Sequence, residues 1–123
     1  MNQQGHFQER RRYPRISRNI PVKICSDDFD LVTETKNLSR TGTYCRVNKY
    51  IEPMTKLKVQ LLLQHKRSAR VVTKKISCQG VVVRTESVPG GDYYNVAIYF
   101  NEIQNRDADY ITDYVNMALN KST

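Results

Sequence analysis

Histidine is scarce: only His6 and His65 occur in 123 residues. One falls in a polar leader and the other in a basic connection, and no nucleophile elbow, HExxH or P-loop pattern occurs. Catalysis therefore finds little support in the sequence, and an enzyme is not expected. Paired carboxylates could do acid–base work, but Asp27, Asp28 and Asp30 fall in one turn and Asp107, Asp109 and Asp113 near the C-terminus. Turn solvation and helix capping account for both groups. Cysteine is limited to Cys25, Cys45 and Cys78, far apart and with no CxxC pair, which excludes a disulfide framework and a zinc site. Small half-buried strand side chains are the expectation, with no metal and no cofactor. Long apolar runs are absent too. Val59 to Leu63 is far too short to cross a bilayer, and Met1 to Gln8 lacks the apolar region of an export signal. A cytoplasmic protein without a membrane span is expected. Internal repeats and low-complexity segments are also lacking.

Positive charge is in excess: 20 Lys and Arg against 12 Asp and Glu, a formal net charge of +8. Such a chain attracts anions, although the sign alone does not choose among nucleic acid, nucleotide and acidic membrane. The distribution is patchy. Arg10, Arg11, Arg12, Arg15, Arg18 and Lys23 gather near the start, and Lys66, Arg67, Arg70, Lys74 and Lys75 form a second group. Patchiness favours a localised anion site.

The length suits one domain, and the 39% hydrophobic content is compatible with one core. Residues 1–8 are expected to be a flexible tail, 9–119 the domain and 120–123 a short end. Ile20, Val22 and Ile24 alternate with polar residues, as in a half-buried strand, and Pro21 suggests that it starts at an edge. Residues 26–30 read as a turn and Leu31 to Lys36 as the return strand. Asn37 to Gly42 breaks the alternation. Thr43 to Val47 resumes it, with Tyr44 and Arg46 on one face and Cys45 and Val47 on the other. Lys56 to Gln64 reads as a strand, His65 to Ala69 as a basic connection, and pairing restarts by Val71. Ile76 to Glu86 is a long strand in which Gly80 marks a bulge or a close backbone approach. Tyr93 to Phe100 is the last strand. The period then becomes helical through Ile111, Tyr114, Val115, Ala118 and Leu119. Five to seven short strands and one C-terminal helix predict a mainly β fold, a closed or nearly closed antiparallel barrel.

Two stretches carry the functional reading. Glu9-Arg10-Arg11-Arg12-Tyr13-Pro14-Arg15 puts four arginines in six residues. Pro14 keeps Tyr13 out of the helical region, so the run is an extended or turning arm. A guanidinium can hold two phosphate oxygens, read the O6 and N7 edge of guanine, or stack on a base. Arg11 and Arg15, four apart on such an arm, could clamp a ligand from two sides. Asn37-Leu38-Ser39-Arg40-Thr41-Gly42 supplies a carboxamide and a hydroxyl two residues apart, which share a face if the strand persists. Gly42 permits a close approach or a tight turn. Together they suggest a split site for a guanine nucleotide that carries phosphates. Taken alone, each stretch reads better as a solvated basic tail or an ordinary turn.

In this order and spacing the two stretches resemble the PilZ domain family, receptors for the bacterial second messenger cyclic di-GMP. That family is marked by RxxxR ahead of the first strand and by [D/N]xSxxG some twenty residues later. Arg11 to Arg15 and Asn37 to Gly42 match both motifs in full, and the likeness covers roughly residues 9 to 119. The resemblance implies a six-stranded barrel with a C-terminal helix. It implies that Arg11 and Arg15 contact guanine edges and phosphates, that Asn37 and Ser39 hydrogen-bond the ligand, and that Gly42 keeps the loop tight. Asn37 stands where many relatives have Asp. Arg10 is placed to stack on a base, which in the family can favour an intercalated pair of ligands, so two molecules per protein are expected. Arg12 and Arg84 are further candidates. A stand-alone adaptor that changes conformation on binding and signals to a protein target is the implied role. The rivals are a PilZ-like interaction module without nucleotide binding and a small nucleic-acid-binding barrel. Tyr13, Tyr44, Tyr50, Tyr93 and Tyr94 could stack bases in the second, but several of them sit in apolar alternation, as core or rim residues do.

Overall fold

Alternation along the strands is what closes this molecule. The structure, a computed structural model, describes residues 13–121. Among the described residues six strands precede one helix: β1 Pro21–Cys25, β2 Asp30–Ser39, β3 Gly42–Val47, β4 Lys56–Arg67, β5 Arg70–Ser87, β6 Tyr94–Glu102 and α1 Asn105–Lys121. All pairings are antiparallel, in the order β1-β2-β3-β6-β5-β4, and β1 also pairs with β4, so the sheet closes into a barrel. Closure leaves β1 without an edge. Pro21 is tolerated because it is the first residue of its strand, where no inner ladder bond is lost.

Inward and outward residues alternate along the strands except where the pairing slips. Ile24, Val59, Leu61, Leu63, Ile76, Val82 and Val96 are fully buried, and each such side chain stabilises the fold by roughly 1.5–3 kcal/mol relative to exposure. Helix α1 packs its Ala108, Ile111, Tyr114, Val115 and Ala118 stripe against this core, while Leu119 lies outside the stripe and is partly exposed. The helix runs to Lys121, past the expected domain end at 119.

Two strand boundaries differ from expectation. Residues 65–69 are not a connection: β4 continues to Arg67 and β5 starts at Arg70, joined by a two-residue turn with Ser68 at φ 56°. The ladder persists through the basic residues because the two strands satisfy each other's backbone groups, whatever their side chains. Likewise β2 does not stop at Lys36 but runs to Ser39, with a slip in pairing between Thr35 and Asn37. The slip changes which face each residue occupies. Leu31, Thr33 and Thr35 lean inward before it, and Leu38 does so after it. At Gly80 both expectations hold: β5 slips there against β6, and a Cβ would come within 2.6 Å of the Ile98 side chain.

Candidate functional site

The slip in β2 is what turns Asn37 toward the outer face, where the arm lies. The arm itself is tied down from Ile16 onward. Ile16 exchanges two backbone hydrogen bonds with Leu38, each 3.0 Å, and buries its side chain. The Thr35 hydroxyl donates to the Arg18 carbonyl (2.7 Å) and accepts from the Ile20 N–H (3.1 Å). Arg10, Arg11 and Arg12 lie outside the described residues.

Arg15 and Asn37 meet. The Arg15 guanidinium donates to Asn37 Oδ1 at 2.9 Å. Both line a groove of about 460 Å³ over the outer face of β3, β6 and β5, together with Gly42, Tyr44, Arg84 and Tyr99. Two strands apart in sequence, these residues converge because Tyr44 pairs with Asn37 on one side and Ala97 on the other, and Ala97 pairs with Arg84. Arg84 is held by Glu86 at 3.2 Å and lies 5.8 Å from the Tyr44 ring centroid, while the Tyr44 hydroxyl donates to the same carboxylate at 3.1 Å. Arg84 is about half exposed, so its ion pair is weak and open to exchange.

Ser39 takes a different place. It is buried and does not line the groove; its Oγ accepts the Thr41 N–H at 3.2 Å and lies 3.2 Å from the Thr41 hydroxyl. Its hydroxyl braces the Arg40–Thr41 turn, and the Thr43 hydroxyl braces the Asn37 carbonyl at 2.6 Å. Gly42 is required by contact: a Cβ there would run into the Ile98 carbonyl oxygen.

Tyr44 and Tyr99 supply aromatic walls to the groove. Alternation with buried Ile98 and Phe100 places Tyr99 outward, but nothing in the chain order relates it to Asn37. Arg40 is a further residue of note. It ion-pairs with Asp109 of α1 at 2.7 Å, donates to the Thr112 hydroxyl at 3.0 Å, and lies 5.8 Å from the Tyr13 ring centroid. It thus joins the arm to the helix.

The thiols stand apart from this site. Burial pushes the Cys45 and Cys78 thiols up to about 12, with Asp107 adding to the second, and burial followed by Asp30 raises Cys25. Among the described residues no group of three or more His, Cys, Asp or Glu is placed to hold a metal, and no helix is long and apolar enough to cross a membrane.

The family model described as PilZ domain matches residues 9–117. The chain belongs to the PilZ domain family. No curated protein sequence matches it. Among solved structures it is similar to the motility inhibitor MotI/DgrA of Bacillus subtilis, with a TM-score of 0.77 at 20% identity over 90% of this chain and 52% of that one. It is also similar to the PilZ domain of YcgR from Escherichia coli, solved with c-di-GMP (TM-score 0.60, 12% identity, 92% of this chain and 94% of that one). A third likeness is PlzA of Borreliella burgdorferi in complex with c-di-GMP, at TM-score 0.56 and 10% identity over 99% of this chain and 58% of that one. The chain thus spans only about half the length of MotI and somewhat more of PlzA.

Proposed function

We propose that this chain is a non-catalytic receptor for cyclic di-GMP, which it binds in the groove between the arginine arm and the β3–β6–β5 face. The observation that carries this is the Arg15–Asn37 hydrogen bond at the groove mouth. It joins the second arginine of one motif to the first residue of the other. Family membership and the ligand in the YcgR and PlzA structures support the same reading.

In this reading Arg11 and Arg15 grip phosphate oxygens and guanine edges, and the Asn37 carboxamide, released from Arg15, reads a guanine. Arg84 exchanges Glu86 for a phosphate. Gly42 keeps β3 close enough for the floor to form, and Ser39 acts by bracing the turn. Arg10 and Arg12 stack on or neutralise a second molecule, giving two ligands per protein. Closure of the arm shifts Tyr13 and, through Arg40, the first turns of α1, so a partner protein meets a different surface. Isothermal titration with cyclic di-GMP, with GTP as the control, tests the reading. Saturable heat with cyclic di-GMP alone supports it and its stoichiometry counts the ligands; no heat at tens of micromolar ligand favours a protein-interaction module without nucleotide binding.

A further inference from the structure

The tip of the β4–β5 hairpin belongs to no part of the nucleotide groove. Strand β1 pairs with β4 only along Lys58–Leu61, and β6 pairs with β5 only from Gln79 on. Leu62–Arg67 and Arg70–Lys75 therefore have only each other as ladder neighbours and form a two-stranded ribbon, whose inner face is covered: Leu63 is buried, and His65 and Lys74 meet Tyr110 of α1. The ribbon carries Lys66, Arg67, Arg70, Lys74 and Lys75, and no acid occurs anywhere between Glu52 and Glu86.

One face of the ribbon has a mixed chemistry. Residues directly opposite share a face in an antiparallel pair. Lys66 stands opposite Val71, Gln64 opposite Thr73 and Leu62 opposite Lys75, and the Gln64–Thr73 hydrogen bond of 3.5 Å agrees with that register. Val71 is 61% exposed and Leu62 38%. Cations and bare aliphatic side chains thus alternate across the strands. At the ribbon edge a groove of about 290 Å³ continues the pattern, with Arg18 and Lys66 beside Val71, Tyr114 and the exposed Met117. The turn that holds Asp27, Asp28 and Asp30 lies at the other end of the barrel, since Cys25 pairs with Lys58 at the far end of β4. The molecule is polar from end to end.

We propose that the outer face of this ribbon docks the protein on an anionic lipid surface, with Lys66 and Lys75 on headgroup phosphates and Val71, Leu62 and Met117 at the acyl boundary. Two observations select a lipid surface. The ribbon has no Phe, Tyr or Trp, none occurring between Tyr50 and Tyr93, and its one imidazole, His65, is turned to Tyr110 of α1, so its outer face lacks both the stacking platform of a single-strand nucleic-acid site and the aromatic anchor of a protein interface. Its exposed aliphatics would gain nothing from a polyanion but do gain from an interface.

Flotation of the full chain with phosphatidylcholine vesicles, with and without phosphatidylglycerol, tests this. The expected result is flotation with anionic vesicles only, weakening as salt is raised. The double variant Lys66→Gln, Lys75→Gln is expected to weaken partitioning about twenty-five-fold, from about fivefold per cation near the surface, with unchanged circular dichroism. Val71→Ser is expected to lower the salt-resistant part several-fold. Equal flotation with neutral vesicles would overturn the proposal, as would no flotation, which would leave the lysines as guards against strand association. Tighter retention by duplex DNA than by anionic vesicles at equal salt would overturn it too.

Discussion

Arg15 is where the two motifs meet, and its hydrogen bond to Asn37 is charge-assisted. Bonds of this kind contribute roughly 1.5–3 kcal/mol each. Arg15→Ala and Arg11→Ala are each expected to weaken cyclic di-GMP binding at least tenfold by calorimetry, with circular dichroism unchanged; equal affinity in both variants would remove the site. Gly42 is a packing position. Gly42→Ala forces β3 away from β6 at the Ile98 carbonyl, and the expected cost is about 1–3 kcal/mol, read as a lower denaturant midpoint. Both motifs were legible from the chain, as was the shared face of Tyr44 and Arg46. The brace formed by Ser39 was not, because a hydroxyl suits a phosphate and a turn N–H equally well.

Arm, barrel face and helix α1 are linked by one guanidinium. Arg40 reaches Asp109, which is mostly exposed, so the pair adds little stability. Asp109→Asn is accordingly expected to change stability by less than about 1 kcal/mol and to leave ligand affinity within about fivefold, that energy's effect. Hydrogen exchange gives the decisive reading: ligand-induced protection in the first turns of α1 should disappear. If that protection persists, the helix is coupled by some other route. Residues 65–69 show how an element can be misread. Charge and a short polar string suggest a connection, but cross-strand hydrogen bonds run on through Arg67 and Arg70. A local pattern cannot register a partner strand.

For the molecule as a whole, ligand binding and protonation both act through the folding equilibrium. Cyclic di-GMP at about a hundredfold excess over Kd adds about 2.7 kcal/mol, so Tm should rise on the order of 10 °C, while GTP should leave it unchanged. Alkali should act in the other direction. Burial holds the Cys45 thiol protonated to about 12 in the native state against 9.0 ordinarily. From pH 9 upward the unfolded chain binds fewer protons than the native one, so stability falls as pH rises toward 12. Cys45→Ala should flatten that fall in thermal melts.

Alternation of apolar residues, the helical period after residue 103, and the order of the two motifs all follow from covalent neighbours. They determined the mainly β fold, the C-terminal helix and the family. Closure of the sheet, the slip that reversed the faces of β2, the convergence of Asn37, Arg84 and Tyr99, and the reach of Arg40 to α1 were decided only in three dimensions. Each depends on which strand lies beside which, and that choice is made by burial of the whole core at once, not by any stretch of the chain.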